Sequence, residues 1–244
     1  MGLLFPDHDE ERTFDLMLLS ATAHELPLYK GAARPLPFIT ETTFKALRVA
    51  LLATGPGPVN AALAAGAALE RIRAPLILVA GIGGAYAQSG LTMGDLAVAS
   101  VEIDADTGVE PLVEGRQPKP IAVKDELLAG NRYAPDADTM VALGFAASMV
   151  AKTACGPFVT SATVTASAQR AGRLYSLYEP VCENMEGAAV ARVALLAGVA
   201  FAEIRGISNM VGPRDKSSWR VDKAISSLKA AVGVFLEKLS EERD

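Results

Sequence analysis

Leu47 to Ala53 is a short, mostly apolar run that breaks off at Gly55-Pro56-Gly57-Pro58, and an alanine-rich stretch from Val59 to Ile72 follows at once. The same alternation recurs along the chain. Phe14 to Ala21 (FDLMLLSA), Leu76 to Ala80, Leu96 to Ile103, Gly156 to Ala166 and Ala200 to Ser208 are apolar or β-branched runs with the length of buried strands. Between them, Ala168 to Tyr178 and Glu186 to Leu196 have helical character, and a brief strand is expected at Val181 and Cys182. The last segment is an amphipathic helix, with Val221, Ile225, Leu228, Val232, Phe235 and Leu239 at helical spacing. The pattern predicts a single α/β domain over residues 13–244, with a central mixed, largely buried sheet flanked by helices. Residues 1–12 are expected to form a mobile extension. Residues Asp104 to Gly144 are polar and proline-bearing, with a helix predicted near Lys124 to Gly130 and a substrate-tail or lid role open to the Asp104 to Asp138 stretch.

Composition narrows the chemistry. Apolar residues make up 50% of the chain but aromatics only 6%, so small aliphatic side chains must build the core and let helices approach the sheet closely. Net charge is −5 with no basic cluster, which argues against a nucleic-acid partner. Two cysteines, Cys155 and Cys182, form no ligand pair, and two histidines, His8 and His24, are too few for a histidine-based metal site. No metal or other cofactor is expected. The N-terminal MGLLFPDHDEER lacks the pattern of a signal peptide, and the uncharged run Ala74 to Gly94 is too rich in glycine and polar residues for a membrane span. A cytoplasmic protein with no membrane partner is the expectation.

Glu186 begins an otherwise apolar helix in which only Arg192 is charged. A carboxylate is tolerated at a helix start because free N–H groups and the dipole favour negative charge, with or without a further role. Glu183 and Glu186 bracket a strand-to-helix turn, where ligands of open α/β sheets bind. Arg205 lies within an apolar strand and needs an acidic partner, such as Glu186, or an anionic ligand. Asn209, four positions on, shares its strand parity, although such an asparagine by itself is commonly a turn or capping residue. Gly81-Ile82-Gly83-Gly84 follows a strand and offers close backbone approach to a ligand, but it lacks the dinucleotide-binding spacing. Glu25, just past the first strand, reads in isolation as a solvated helix residue.

Together, TGPGPVNAALA, VAGIGGAYAQSGLTMGDLAVAS, ENMEGAAVARVALLAGVAF and EIRGISNMVGPRDKSSW resemble the nucleoside phosphorylase and nucleosidase superfamily. The Met-Glu helix start and the Arg-x-Ile-Ser strand end resemble the superfamily at large. The continuation from Ser208 to Asp215 resembles its futalosine hydrolase branch, which releases hypoxanthine from futalosine in menaquinone biosynthesis. The resemblance implies an N-glycosyl hydrolase that takes a purine nucleoside without cofactor, as a homodimer or larger homo-oligomer. It gives Glu25 the activation of water, Glu186 the ribose hydroxyls, and Arg205 the holding of water and carboxylate. It places Met185 on the sugar face, Val164 and Thr165 at the base, and Gly83 and Gly84 beside the nucleoside, with Asn184 and Ser208 also binding substrate.

Asn209 departs from the aspartate of adenine-releasing relatives. An amide N–H₂ suits the oxygen of a 6-oxopurine, where a carboxylate would face a lone pair. Asp215, or a relayed water, is then the candidate proton source for the leaving base, and Arg214, Lys216 and Arg220 are candidates for the substrate tail. Related phosphorylases carry a phosphate-binding arginine just before the glycine loop, where this chain has Val79-Ala80, so the resemblance favours hydrolysis. The rival readings are an adenine-releasing nucleosidase, an inosine-type phosphorylase, a non-catalytic nucleoside-binding protein and, weakest, a dinucleotide-binding protein.

Overall fold

The computed structural model describes residues 12–32, 34–109, 119, 121 and 130–242. The strands are β1 (Arg12–Thr13), β2 (Leu16–Ser20), β3 (Phe38–Phe44), β4 (Leu47–Ala53), β5 (Ile72–Arg73), β6 (Leu76–Ala85), β7 (Leu96–Asp104), β8 (Arg132–Tyr133), β9 (Thr153–Thr160), β10 (Cys182–Asn184) and β11 (Ala200–Met210). The helices are α1 (Pro58–Leu69), α2 (Ala137–Ser148), α3 (Ala168–Tyr178), α4 (Gly187–Ala197) and α5 (Val221–Glu241).

One nine-stranded mixed sheet runs β10-β9-β7-β11-β6-β2-β4-β3, with β8 added on β7. β10 also pairs with β6, so β6, β11, β7, β9 and β10 close a ring. Strand alternation divides the core into two layers. Leu16, Leu18, Leu78 and Ile204 meet α2 and α5 on one face. Met17, Leu19, Ile77 and Val79 meet α1 and α4 on the other. This is the expected α/β domain, with helices covering both faces of a sheet too apolar to face water.

The bounds of β4 and α3 follow the sequence closely; other elements differ for identifiable reasons. α1 stops at Leu69 because Ile72–Arg73 pairs in parallel with Arg12–Thr13. Arg12 thus belongs to the domain and not to an extension, while residues 1–11 lie outside the described residues, as does most of the helix predicted near Lys124 to Gly130. Strand β6 continues through Gly81-Ile82-Gly83-Gly84 because those residues pair with β11. Strand β9 begins earlier than expected and ends at Thr160. The half-polar edge strand β3 and the helix α2 had no clear signal in the sequence. α2 is fixed at its start by Asp136, whose carboxylate accepts the Thr139 N–H at 2.9 Å.

Candidate active site

A cavity of about 260 Å³ opens where the ends of β2, β6, β10 and β11 meet the start of α4. It is smaller than a cleft of about 440 Å³ beside Arg170 and Tyr178. Yet Glu25, Glu186, Arg205 and Asn209 all line the smaller cavity, joined by Gly83, Gly84, Val164, Asn184, Met185 and Ser208.

Glu25 lies in the turn after β2 and is 7% exposed, not on a solvated helix. The neighbouring Leu26 is fully buried and draws the turn inward. Glu25 Oε1 accepts the Thr22 hydroxyl at 2.7 Å, and Oε2 accepts the Ile82 N–H at 3.0 Å. These neutral donors hold the carboxylate toward the cavity without cancelling its charge.

Glu186 stands at the N-cap position of α4 but makes no side-chain cap. Asn184 takes over that role: its Oδ1 accepts the N–H groups of Glu186 at 2.9 Å and Gly187 at 2.8 Å. The Glu186 carboxylate is therefore free to accept the Gly57 N–H at 3.0 Å and to pair with Arg205 Nη1 at 3.1 Å.

Arg205 satisfies its buried charge with two carboxylates. Nε donates to Glu203 at 2.7 Å, and Nη1 donates to the Ile82 carbonyl at 3.1 Å as well as pairing with Glu186. Burial opposes the guanidinium charge, but Glu203 and Glu186 outweigh it and hold the pKa above its ordinary value. The acidic partner expected from the sequence is thus a pair of partners, and Glu203 is the nearer.

The shared parity of Arg205 and Asn209 does not hold as simple alternation. The β6–β11 register shifts between Ile207 and Asn209, leaving Ser208 as the extra residue of a bulge. The bulge brings Ser208 and Asn209 to the cavity together. Ser208 Oγ lies 3.2 Å from the Gly83 carbonyl and donates to Asn209 Oδ1 at 2.8 Å, while Asn209 Nδ2 donates to the Met210 carbonyl at 3.1 Å. One amide hydrogen of Asn209 remains for a ligand.

Other expectations are revised. Gly83 and Gly84 are not in a loop; they occupy ladder positions opposite Ile207 and Asn209 and give the cavity a wall without side chains. Thr165 is buried behind the lining: Glu183 accepts its N–H at 2.9 Å and its hydroxyl at 2.6 Å, so that amide is already engaged. Val164 does line the cavity. Asp215 does not; it accepts the Ser217 N–H at 2.9 Å and hydroxyl at 2.7 Å. Those bonds hold its carboxyl below the ordinary value, which makes it a poor proton donor. Among the tail candidates Arg214 reaches the cavity, while Lys216 and Arg220 do not line it. Arg214 lies 5.6 Å from the ring centre of Trp219, a lining residue the sequence did not single out, and Thr22 is another.

No group of histidine, cysteine, aspartate or glutamate among the described residues has the geometry to hold a metal. No helix among them is long and apolar enough to cross a membrane.

Residues 13–240 match the model of the phosphorylase superfamily. A futalosine hydrolase of Thermus thermophilus is 35% identical over 88% of this chain and 92% of its own length. A second, from Streptomyces coelicolor, is 36% identical over 75% of this chain and 76% of its own. Among solved structures, a 5'-methylthioadenosine/S-adenosylhomocysteine nucleosidase of Neisseria meningitidis in complex with methylthio-immucillin-A superposes with a TM-score of 0.78, at 20% identity over 93% of this chain and 99% of that one. The native futalosine hydrolase of Helicobacter pylori superposes with a TM-score of 0.76, at 16% identity over 93% of this chain and 98% of that one. At these identities the superpositions speak for the fold alone. The sequence relationships go further: the chain belongs to the phosphorylase superfamily and, within it, to the futalosine hydrolase family.

Proposed function

We propose that the chain hydrolyses the N-ribosyl bond of futalosine, releasing hypoxanthine and dehypoxanthine futalosine in menaquinone biosynthesis. The observation that carries this reading is the convergence of Glu25, Arg205 and Glu186 on one cavity that ends at Asn209, in a chain related over most of its length to futalosine hydrolases.

In this mechanism Glu25 takes a proton from water as the water oxygen bonds to the anomeric carbon and the bond to the base nitrogen breaks. Glu186 accepts hydrogen bonds from the ribose hydroxyls and stabilises positive charge developing on the sugar. Arg205 holds Glu186 in place, and Met185 packs on the sugar. Asn209 donates its remaining amide hydrogen to the 6-oxo group. The leaving base receives its proton from a relayed water, since Asp215 stands away from the cavity.

Hydrolysis is favoured over phosphorolysis on electrostatic grounds. Glu25, Glu183 and Glu186 line the cavity, and Arg205 is already engaged by Glu203 and Glu186. A phosphate dianion would meet more negative than free positive charge. The experiment is a nucleoside panel, with and without phosphate, and identification of the released base. Hypoxanthine from futalosine without phosphate supports the reading; preferential adenine release, phosphate dependence, or binding without base release overturns it.

The proposal extends to a cytoplasmic homo-oligomer with no nucleic-acid partner. Two free cysteines suit a reducing compartment. Val59 and Leu63 on α1 and Leu195 and Leu196 on α4 are exposed on two helices that pack together, and they offer apolar surface for a second copy. Sedimentation analysis tests the assembly, and a monomer at all concentrations would exclude it.

A further inference from the structure

Glu102 on β7 and Glu203 on β11 are both fully buried, and neither lines the cavity. Glu203 Oε1 accepts from Arg205 Nε at 2.7 Å, but its Oε2 is buried without a hydrogen-bond partner among the described residues. The two carboxyl groups converge on Gly187. A methyl group there would overlap Glu203 Oε2 and stand 2.5 Å from Glu102 Oε1. Glu102 has neutral neighbours on its other side: the Thr160 hydroxyl donates to Oε2 at 2.8 Å and Asn184 Nδ2 donates to Oε1 at 3.0 Å.

Two ionised carboxylates cannot share such a dry site. Glu203 has the guanidinium beside it and stays ionised more readily. Glu102 has no cation of its own and is the more readily protonated of the two, and a proton donated from it to Glu203 Oε2 would satisfy the otherwise unmet oxygen. The network then continues outward. Asn184, held by Glu102, accepts the N–H groups of Glu186 and Gly187, and Thr160 Oγ1 accepts the Ala188 N–H at 2.8 Å. Glu203 fixes Arg205 on β11, and Glu102 ties it to the start of α4, where Glu186 stands.

We propose that Glu102 is a carboxylic acid, neutral at neutral pH, that donates to Glu203, and that this pair is a positioning device holding Arg205 and Glu186 in register for the reaction. The inference deepens the hydrolase reading and rests on it for its catalytic half. Burial, reinforced by Glu203, pushes the Glu102 carboxyl well above its ordinary range, in keeping with that geometry. The groups around it are Glu203 and Arg205 from β11, Thr160 from β9, Cys182 and Asn184 from β10, and Glu186 at the start of α4. Its cross-strand partner on β8 is Tyr133, whose hydroxyl donates to Gly130 and accepts from Arg192.

The sign of the pH effect follows from linkage. A carboxyl raised in the fold contributes stability that is fully present below its ordinary value and is lost as pH rises through the raised value. Glu102→Gln keeps a neutral donor toward Glu203 and cannot ionise, whereas Glu102→Leu removes the donor. Measuring kcat and KM for base release, together with thermal unfolding, across pH separates them. The expected result is that Glu102→Gln turns over near the wild-type rate at neutral pH and keeps activity and stability further into alkali than the wild type. Glu102→Leu should lose about tenfold or more in kcat with KM little changed. A Glu102→Gln protein as impaired as Glu102→Leu, or with an alkaline limb and unfolding profile identical to the wild type, overturns the proposal. Should the wild type hydrolyse no nucleoside, the hydrolase reading fails separately, while the unfolding profiles still decide where the proton resides.

Discussion

Gly81 and Arg205 are cross-strand partners in the parallel β6–β11 ladder, and the guanidinium passes over the face that a side chain at Gly81 would occupy. A Cβ at that position would meet Arg205 Nη1 at 2.5 Å and Glu25 Oε2 at 3.1 Å. The glycine is therefore the space in which the Arg205 guanidinium and the Glu25 carboxylate approach each other. Gly81→Ala is expected to lower kcat strongly while far-ultraviolet circular dichroism stays native, because Arg205 must shift before the sheet does. An unchanged kcat would show that the guanidinium has room to spare.

Glu25→Gln keeps the shape of the side chain and the donated bond from Thr22 but removes the carboxylate proposed as the base. Turnover should fall by roughly 100-fold or more, the span typical of general-base loss. Binding of a substrate or a slowly cleaved analogue, read by calorimetry, should persist. Full turnover by the variant would assign water activation to another group.

Asn209→Asp tests recognition of the base. Asn209 offers one amide hydrogen after serving Met210, and aspartate would replace that donor with an acceptor. Preference should move toward adenine nucleosides by about tenfold or more, the cost of mispairing a buried polar group. The ratio of kcat/KM for paired 6-oxo and 6-amino nucleosides measures it, and an unaltered ratio would place base selection elsewhere.

Asp136 gives a prediction about the fold alone. The Thr139 hydroxyl and N–H hold its carboxyl below the ordinary value, so its contribution is present above that value and lost as pH falls through the lowered one. Asp136→Ala should cost about 1 kcal/mol, as for other N-caps. Thermal unfolding should show the difference near neutrality and its disappearance in strong acid, with catalysis untouched.

The sequence by itself determined what depends on neighbouring residues. The apolar run of β4, the bounds of α3, and the alternating strand and helix order were legible because propensity and burial pattern are local signals. The residues at the ends of those runs also pointed to Glu183, Glu186, Arg205 and Asn209, and the family resemblance added Glu25, Val164, Asn184, Met185 and Ser208. Tertiary structure decided the rest. Among the described residues strand β3 pairs only with β4, and the glycines after Ala80 stay in β6 because β11 lies beside them. Glu25 faces the cavity because Thr22 and Ile82 hold it there, and a bulge at Ser208 overrides the parity read from Arg205 to Asn209. The pairing of Glu102 with Glu203 carried no signal in the chain, since their 101-residue separation closes only when β7 and β11 meet in one sheet. Charge pairing over such distances is fixed by the sheet, where burial removes the water that would otherwise separate the groups.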